Sequence, residues 1–162
     1  MGDVIEGVIT PDWNEINKAR EDCTKFLYDR KLTETVVDAL SMVVHELLEN
    51  ALKYGNFESG NARISYIVKI CKKNITVEVT NPIHWDDTPH FKMLDKTIQW
   101  IRGYQNPFEA YAEKLKEVSV RPLKDAESGL GLVRVAYEGQ SILDFYVRDD
   151  NNISVSAVYQ LQ

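Results

Sequence analysis

The chain has 162 residues, of which 44% are hydrophobic and 27% are charged. A chain of this length and composition can bury a core without disulfides or metals, so we expect one globular domain over residues 1–162. The formal net charge of −6 repels a nucleic-acid backbone, and no apolar stretch is long enough to span a membrane, so these totals argue against both functions.

The N-terminus and the cysteines indicate a cytoplasmic protein. Residues 1–10 carry acidic residues, no basic cluster and no long apolar core, so we expect neither a secretory signal nor a transit peptide. Cys23 and Cys71 lie far apart and outside any metal-binding spacing. We therefore expect two buried, unpaired thiols.

Hydrophobic periodicity predicts alternating helices and strands. Apolar spacings of three and four mark amphipathic helices, and strict alternation marks half-buried strands. Thr10 followed by Pro11 is typical of an N-cap and a first helical position, and Gly55 is typical of a helix end. The predicted elements are a strand over residues 4–10, helices over 11–30 and 33–55, strands over 63–71 and 75–81, a polar loop over 84–89, helices over 91–103 and 107–117, a glycine loop over 127–131 that opens a helix to 139, and strands over 141–148 and 153–161.

This order of elements predicts an α+β fold. Hairpins that bury one face need helices to cover that face, which gives a two-layer α/β sandwich with a mixed, mainly antiparallel sheet and helices on one face. Aromatic residues recur at helical spacing around the turn at residues 103–107. We interpret them as core or as a lid that packs on a partner rather than as base-stacking groups; they are Trp100, Tyr104, Phe108 and Tyr111.

Four polar residues of the second helix share one face opposite the apolar stripe. Glu46, Glu49, Asn50 and Lys53 lie at i, i+3, i+4 and i+7. A carboxylate, an amide oxygen and an ammonium are the groups that order a nucleophile, complete a Mg²⁺ shell and neutralise phosphate. The simpler interpretation is a solvated face with a Glu49–Lys53 ion pair, and we interpret the neighbouring His45 as packed or exposed rather than catalytic.

A second polar pattern opens the helix that begins near residue 131. Glycines alternate in residues 128–132 (SGLGL), which lets backbone amides approach an anion next to the positive end of a helix. Phosphate is the natural ligand of such a loop, although a tight turn alone explains a single Gly-x-Gly.

Together, in this order and with a hairpin between them, the two patterns resemble the GHKL superfamily of histidine-kinase-like ATPases. Residues 46–55 (ELLENALKYG) look like its N box, and residues 128–132 look like its second glycine box. The resemblance implies that Asn50 binds Mg²⁺, that Glu46 is the general base, and that Lys53 faces phosphate. It also implies that the loop of Ser128, Gly129, Leu130 and Gly131 lines the bound triphosphate.

Among GHKL branches, the chain looks most like the anti-sigma-factor serine kinases of partner-switching systems. The short length, the Glu46–Asn50 spacing and the lack of a phosphoacceptor-histidine region favour this branch. The resemblance implies a Mg-ATP-binding regulator that phosphorylates or sequesters a small protein partner, and it leaves a homodimer open.

The first glycine box of the family, DxGxG, is missing. Its aspartate accepts a hydrogen bond from the adenine amino group, whereas this chain reads Thr-Asn-Pro-Ile-His over residues 80–84. Asn81 could offer an amide oxygen, but Pro82 stiffens the loop and removes a backbone donor. Loss of such a partner costs about 1–3 kcal/mol, or roughly ten- to hundredfold in affinity.

Two alternatives therefore stay open. One is an interaction module of the same fold with weak or no nucleotide binding. The other is an unrelated α+β domain in which both motifs are coincidental, which an Asn50 pointing away from the glycine loop would support. A further cluster of metal-binding residue types is interpreted as a solvated loop rather than a metal site; it comprises His84, Asp86, Asp87 and His90.

Overall fold

A computed structural model describes residues 3–84, 88–119, 130–148 and 150–162, apart from the side chains of residues 88, 90 and 118. These residues form five helices and five strands. In chain order the elements are β1 (Asp3–Ile9), α1 (Trp13–Asp29), α2 (Glu34–Tyr54), β2 (Ile64–Cys71), β3 (Asn74–Pro82), α3 (Thr88–Arg102), α4 (Pro107–Ser119), α5 (Leu130–Tyr137), β4 (Ser141–Val147) and β5 (Asn152–Gln160).

The five strands form one sheet in the order β1-β2-β3-β5-β4, and every neighbouring pair is antiparallel. Val77 at the middle of β3 pairs with Val68 of β2 and with Ala157 of β5. These three residues are fully buried, whereas their neighbours along each strand face the other side of the sheet. The predicted two-layer α+β sandwich is confirmed.

Helix α2 fixes the position of the polar face predicted from the sequence. Its apolar stripe is buried against the sheet and against α1; the buried residues are Val37, Leu40, Val43, Val44, Leu47, Leu48 and Ala51. Each fully buried leucine contributes about 1.5–3 kcal/mol. The Thr33 hydroxyl caps the first turn, and the Gly55 amide closes the last one onto the Ala51 carbonyl at 2.9 Å.

The predicted N-cap of α1 is wrong by two residues. The helix begins at Trp13, and the Asp12 carboxylate accepts the Glu15 amide at 2.9 Å. Thr10 instead donates its hydroxyl to Asp12 Oδ2 at 2.7 Å. A carboxylate is the stronger acceptor at the positive end of a helix, and the Thr10 hydroxyl followed by the Glu15 amide lowers the pKa of Asp12.

The segment between the two hairpins contains both predicted helices, but α3 begins earlier than expected. Thr88 and Pro89 belong to its first turn, where proline is tolerated because the amide it lacks has no partner there in any case. Leu94, Ile98 and Ile101 of α3 are buried in the common core. Residues 88 and 89 of the polar loop predicted over residues 84–89 are therefore helical, and residues 85–87 lie outside the described residues.

The two cysteines differ in environment. Cys23 of α1 is fully buried, and burial raises the pKa of its thiol to about 12. The prediction for Cys71 is wrong, because this thiol is exposed. The inward-facing positions of β2 are Ile64, Tyr66 and Val68, so position 71 has the opposite parity and falls on the outer face.

In the part of the chain that the structure describes, none of the helices combines the length and hydropathy needed to cross a bilayer.

Candidate functional site

A cavity of about 1010 Å³ opens between α2, the sheet and the helices α3, α4 and α5. Its apolar lining includes Ala51, Val79, Leu94, Ile153 and Val155, and the rest of the lining includes charged side chains of α2, α3, α4 and α5. The volume of the cavity lies at the upper end of the range for small-molecule sites, and a lining with both apolar and charged groups suits a ligand with a flat ring and an anionic tail.

The four polar residues predicted on one face of α2 all line this cavity. Glu49 is paired on both sides, with Lys53 Nζ at 3.2 Å from Oε1 and His45 Nε2 at 3.4 Å from Oε2. The ion pair expected for a simple solvated face is therefore present. The Asn50 side chain has no hydrogen bond to any residue that the structure describes, so its amide is available to a ligand.

Glu46 forms an ion pair with Arg134, a residue that no sequence motif indicated. Arg134 of α5 donates from Nη1 to Glu46 Oε1 at 2.9 Å, and only 12% of the Glu46 side chain is exposed. Burial raises the pKa of Glu46, the positive charge of Arg134 opposes that rise, and the charge of Glu49 adds to it. The only sequence signal for Arg134 is its charge within the otherwise apolar segment 130–137 (LGLVRVAY).

Arg134 is itself shared between two carboxylates. Its Nε and Nη2 donate to Glu138 Oε2 at 3.1 and 3.0 Å, while Nη1 reaches Glu46. The hydrogen bond and the charge of Glu138 raise the pKa of Arg134, against a smaller lowering by burial. Arg134 lines the cavity and its side chain is 37% exposed.

Gly131 brings α5 against α2. A Cβ built on Gly131 would meet Glu46 Oε2 at 2.5 Å, so a larger residue could not sit there without moving that carboxylate. Leu130 and Gly131 both line the cavity beside Asn50. The other two residues of the predicted glycine loop, Ser128 and Gly129, lie outside the described residues.

Asn81 lies at the end of β3 and lines the cavity. It is 4% exposed and its Nδ2 donates to the Pro82 carbonyl at 3.0 Å. The same carbonyl accepts the Asn56 amide at 2.8 Å. One N–H of Nδ2 is used in this way, and Oδ1 is the acceptor that Asn81 can offer to a ligand.

The helices α3 and α4 contribute aromatic and cationic side chains to the lining of the cavity. Trp100 lines the cavity and stacks edge-on with Tyr104 at a centroid distance of 5.0 Å. Lys114 Nζ lies 5.7 Å from the Trp100 ring centroid and 3.3 Å from Glu117 Oε2. The other two aromatic residues predicted as structural, Phe108 and Tyr111, contact Tyr137 of α5 instead.

The histidine and aspartate cluster interpreted as a solvated loop is only partly described. His84 pairs with Glu58 at 3.4 Å, while Asp86, Asp87 and the His90 side chain lie outside the described part. Within that part, no group of three or more His, Cys, Asp or Glu residues could hold a metal ion.

The cavity residues fit a nucleotide with Mg²⁺. The Asn50 amide oxygen is a hard ligand of the kind Mg²⁺ takes alongside phosphate and water oxygens. The cations that line the cavity are Lys53, Lys96, Lys114 and Arg134, and they lie among the carboxylates of Glu46, Glu49 and Glu117. A polyphosphate could exchange with these carboxylates on the cations, and the Asn81 amide oxygen can accept a hydrogen bond from an amino group.

Comparison with known proteins finds similarity among solved structures, one of which is a complex of two proteins. No known family model matches the chain, and no curated protein matches it. Sixteen chains of solved structures do match. One belongs to the SiaB-SiaC complex from Pseudomonas aeruginosa, with a TM-score of 0.71 and 19% sequence identity over 96% of this chain and 88% of that chain. At this identity the likeness shows a shared fold.

Proposed function

We propose that the protein is a Mg-ATP-binding regulator of the GHKL type, a serine/threonine protein kinase or anti-sigma-like switch that acts in the cytoplasm on a small protein partner. The observation that carries this proposal is the convergence of Glu46 and Asn50 of α2, Asn81 of β3 and Gly131 of α5 on one cavity. By the resemblance, Glu46 and Asn50 match the N box and Gly131 matches the second glycine box, while Asn81 stands where the missing first glycine box would supply its aspartate.

Each residue has a role that its position supports. Asn50 would hold Mg²⁺, and that ion would supply charge neutralisation of the phosphates. Lys53 and the backbone at Leu130 and Gly131 would bind phosphate oxygens. Glu46 would orient a serine or threonine hydroxyl of the partner and accept its proton, and its raised pKa makes it a stronger base than an ordinary carboxylate.

The proposal of coincidental motifs loses support from this arrangement. Asn50 and Gly131 lie on the same cavity, whereas unrelated motifs have no reason to converge. The interaction module without nucleotide keeps one observation in its favour: Glu46 is paired with Arg134 and Lys53 with Glu49, so two of the predicted ligand-binding side chains already have partners within the protein. The solved complex with the same fold also contains two proteins, which supports a protein partner under either proposal.

Isothermal titration calorimetry with ATP and ADP, with and without Mg²⁺, separates the two proposals. We expect Mg²⁺-dependent binding by the wild type that Asn50→Ala abolishes. Asn17→Ala is the matched control, because it removes an exposed helical asparagine of α1 that does not line the cavity. Absence of heat at millimolar nucleotide, from a protein that melts cooperatively, would leave the interaction module as the function.

A further inference from the structure

The ion pair between Glu46 and Arg134 joins the candidate base to the arginine on the cavity wall. Arg134 uses three donors on two carboxylates, Glu46 and Glu138. Glu46 is much the more buried of the two, with 12% of its side chain exposed against 36% for Glu138. The contact with Glu46 is therefore the one made inside the cavity.

A guanidinium binds carboxylate and phosphate oxygens through the same fork of N–H donors. The position that Glu46 Oε1 takes on Nη1 is consequently one that a phosphate oxygen could take. Three lysines also line the cavity, but each offers only a point charge; they are Lys53, Lys96 and Lys114. Lys53 and Lys114 are in addition paired with glutamates. In the described part of the chain, Arg134 is the cavity-lining cation with planar geometry.

We propose that Arg134 binds the terminal phosphate of the ligand, and that Glu46 occupies Arg134 as an internal competitor while the cavity is free. This inference rests on the proposed function for the identity of the ligand, a polyphosphate. When a phosphate oxygen replaces Glu46 Oε1 as the acceptor of Arg134 Nη1, the Glu46 carboxylate is released and can accept a proton from a hydroxyl. The protein thus holds its base in a paired state until a phosphate arrives.

Gly131 is consistent with this arrangement. Because it carries no side chain, Glu46 Oε2 can lie against α5 while Oε1 stays on Arg134. Oε1 is thereby occupied by Arg134, and Oε2 lies against the backbone of α5. Release of Oε1 from Arg134 gives the carboxylate an oxygen that can accept a proton from a hydroxyl.

The test uses inorganic tripolyphosphate without Mg²⁺ as the probe, measured by calorimetry at constant ionic strength. Glu46→Gln is nearly isosteric and removes the competing charge, so we expect affinity to rise about tenfold. Arg134→Met removes the fork and is expected to weaken binding about tenfold. In the double variant, the gain from Glu46→Gln should disappear.

Glu49→Gln is the matched control, since it also neutralises a cavity carboxylate but does not contact Arg134. Its effect on affinity should persist in the Arg134→Met background. A Glu46→Gln gain that also persists there, or no effect of either single variant in proteins that melt like the wild type, would overturn the inference. Tripolyphosphate binding with the expected pattern but no ATP binding would retain the inference and reject the proposed function.

Discussion

The Glu46 carboxylate lies against the backbone of Gly131, so close that a Cβ on Gly131 would meet Oε2 at 2.5 Å. We expect Gly131→Ala to displace this carboxylate from Arg134 with little loss of stability. The atom encountered is the end of a flexible side chain, and alanine is about 1 kcal/mol more favourable than glycine within a helix. Thermal melting should therefore show a change of no more than about 1 kcal/mol, while tripolyphosphate affinity rises as in Glu46→Gln.

Gly103→Ala is the control for that substitution. Its Cβ would meet only ordinary backbone contacts at 3.4 Å and lies away from the cavity. A Gly131→Ala protein with unchanged affinity would mean that the carboxylate stays on Arg134 in spite of the new methyl group.

The free energy of unfolding should depend on pH in part through the titration of the Glu46 carboxyl. Burial raises its pKa above the ordinary 4.5, so its carboxyl favours the folded state most when protonated. That contribution is fully present below the unfolded pKa and is lost as pH rises through the folded pKa. We expect the free energy of unfolding of the wild type to fall relative to Glu46→Gln from about pH 4.5 upward. Urea titrations of both proteins at a series of pH values measure this change, and a wild-type free energy of unfolding that rises relative to that of Glu46→Gln over this range would contradict the environment described for Glu46.

Asp12 should show the opposite dependence. Its pKa is lowered by the Thr10 hydroxyl and the Glu15 amide, so its contribution is present above the unfolded value near 3.8 and is lost as pH falls through the folded pKa. Asp12→Ala should lower the Tm at neutral pH. Asp12→Asn keeps the cap and should lower it less, with a smaller dependence on pH. Thermal melting between pH 2 and pH 7 compares the three proteins, and equal Tm values for all of them at neutral pH would reject Asp12 as the cap.

Helix α3 should unfold together with the sheet. Ile98 is 1% exposed and belongs to the common core, so Ile98→Ala should cost about 2–5 kcal/mol in a single transition. Met93→Ala, on the same helix but 53% exposed, should cost far less. Urea unfolding followed by circular dichroism and by tryptophan fluorescence gives the measurement. Two separated transitions in Ile98→Ala would show that α3 folds independently.

Asn81 should contribute to the affinity for the adenine base of ATP. If its Oδ1 accepts from the adenine amino group, Asn81→Ala should weaken ATP binding by roughly ten- to hundredfold, because the amino group then loses its partner. Tripolyphosphate has no base, so its affinity should stay unchanged in the same variant. Equal losses for both ligands would indicate that Asn81 supports the cavity as a whole.

Most of the fold could be predicted from the sequence, because hydrophobic periodicity and turn residues are local signals. The apolar stripe of α2 and the alternation in β2 and β3 correspond to the buried faces of these elements, and turns at polar residues separate the elements. The errors lie at element ends. Thr10 and Asp12 are both good caps, and only the geometry of the hydroxyl donating to the carboxylate shows which of them caps.

The site could be predicted only in part. The residues of α2 converge because helical spacing alone determines which positions share a face. Arg134 was missed because its partner Glu46 lies 88 residues away, and no local pattern reports a contact across that separation. Asn81 could be located by its place at the end of β3, but the hydrogen bond from its Nδ2 to the Pro82 carbonyl is a property of the folded chain.

The order of the strands has a consequence for how the protein folds. The hairpins β2–β3 and β4–β5 join neighbours in sequence, whereas the β3–β5 ladder pairs residues 74–82 with residues 152–160 and encloses three helices in one long loop. Closing such a loop costs entropy before the pairing repays it, so this ladder should limit the folding rate. The same ladder brings Asn81 and α5 to a common cavity. A nascent chain that ends before residue 152 therefore contains almost every cavity residue and no binding site.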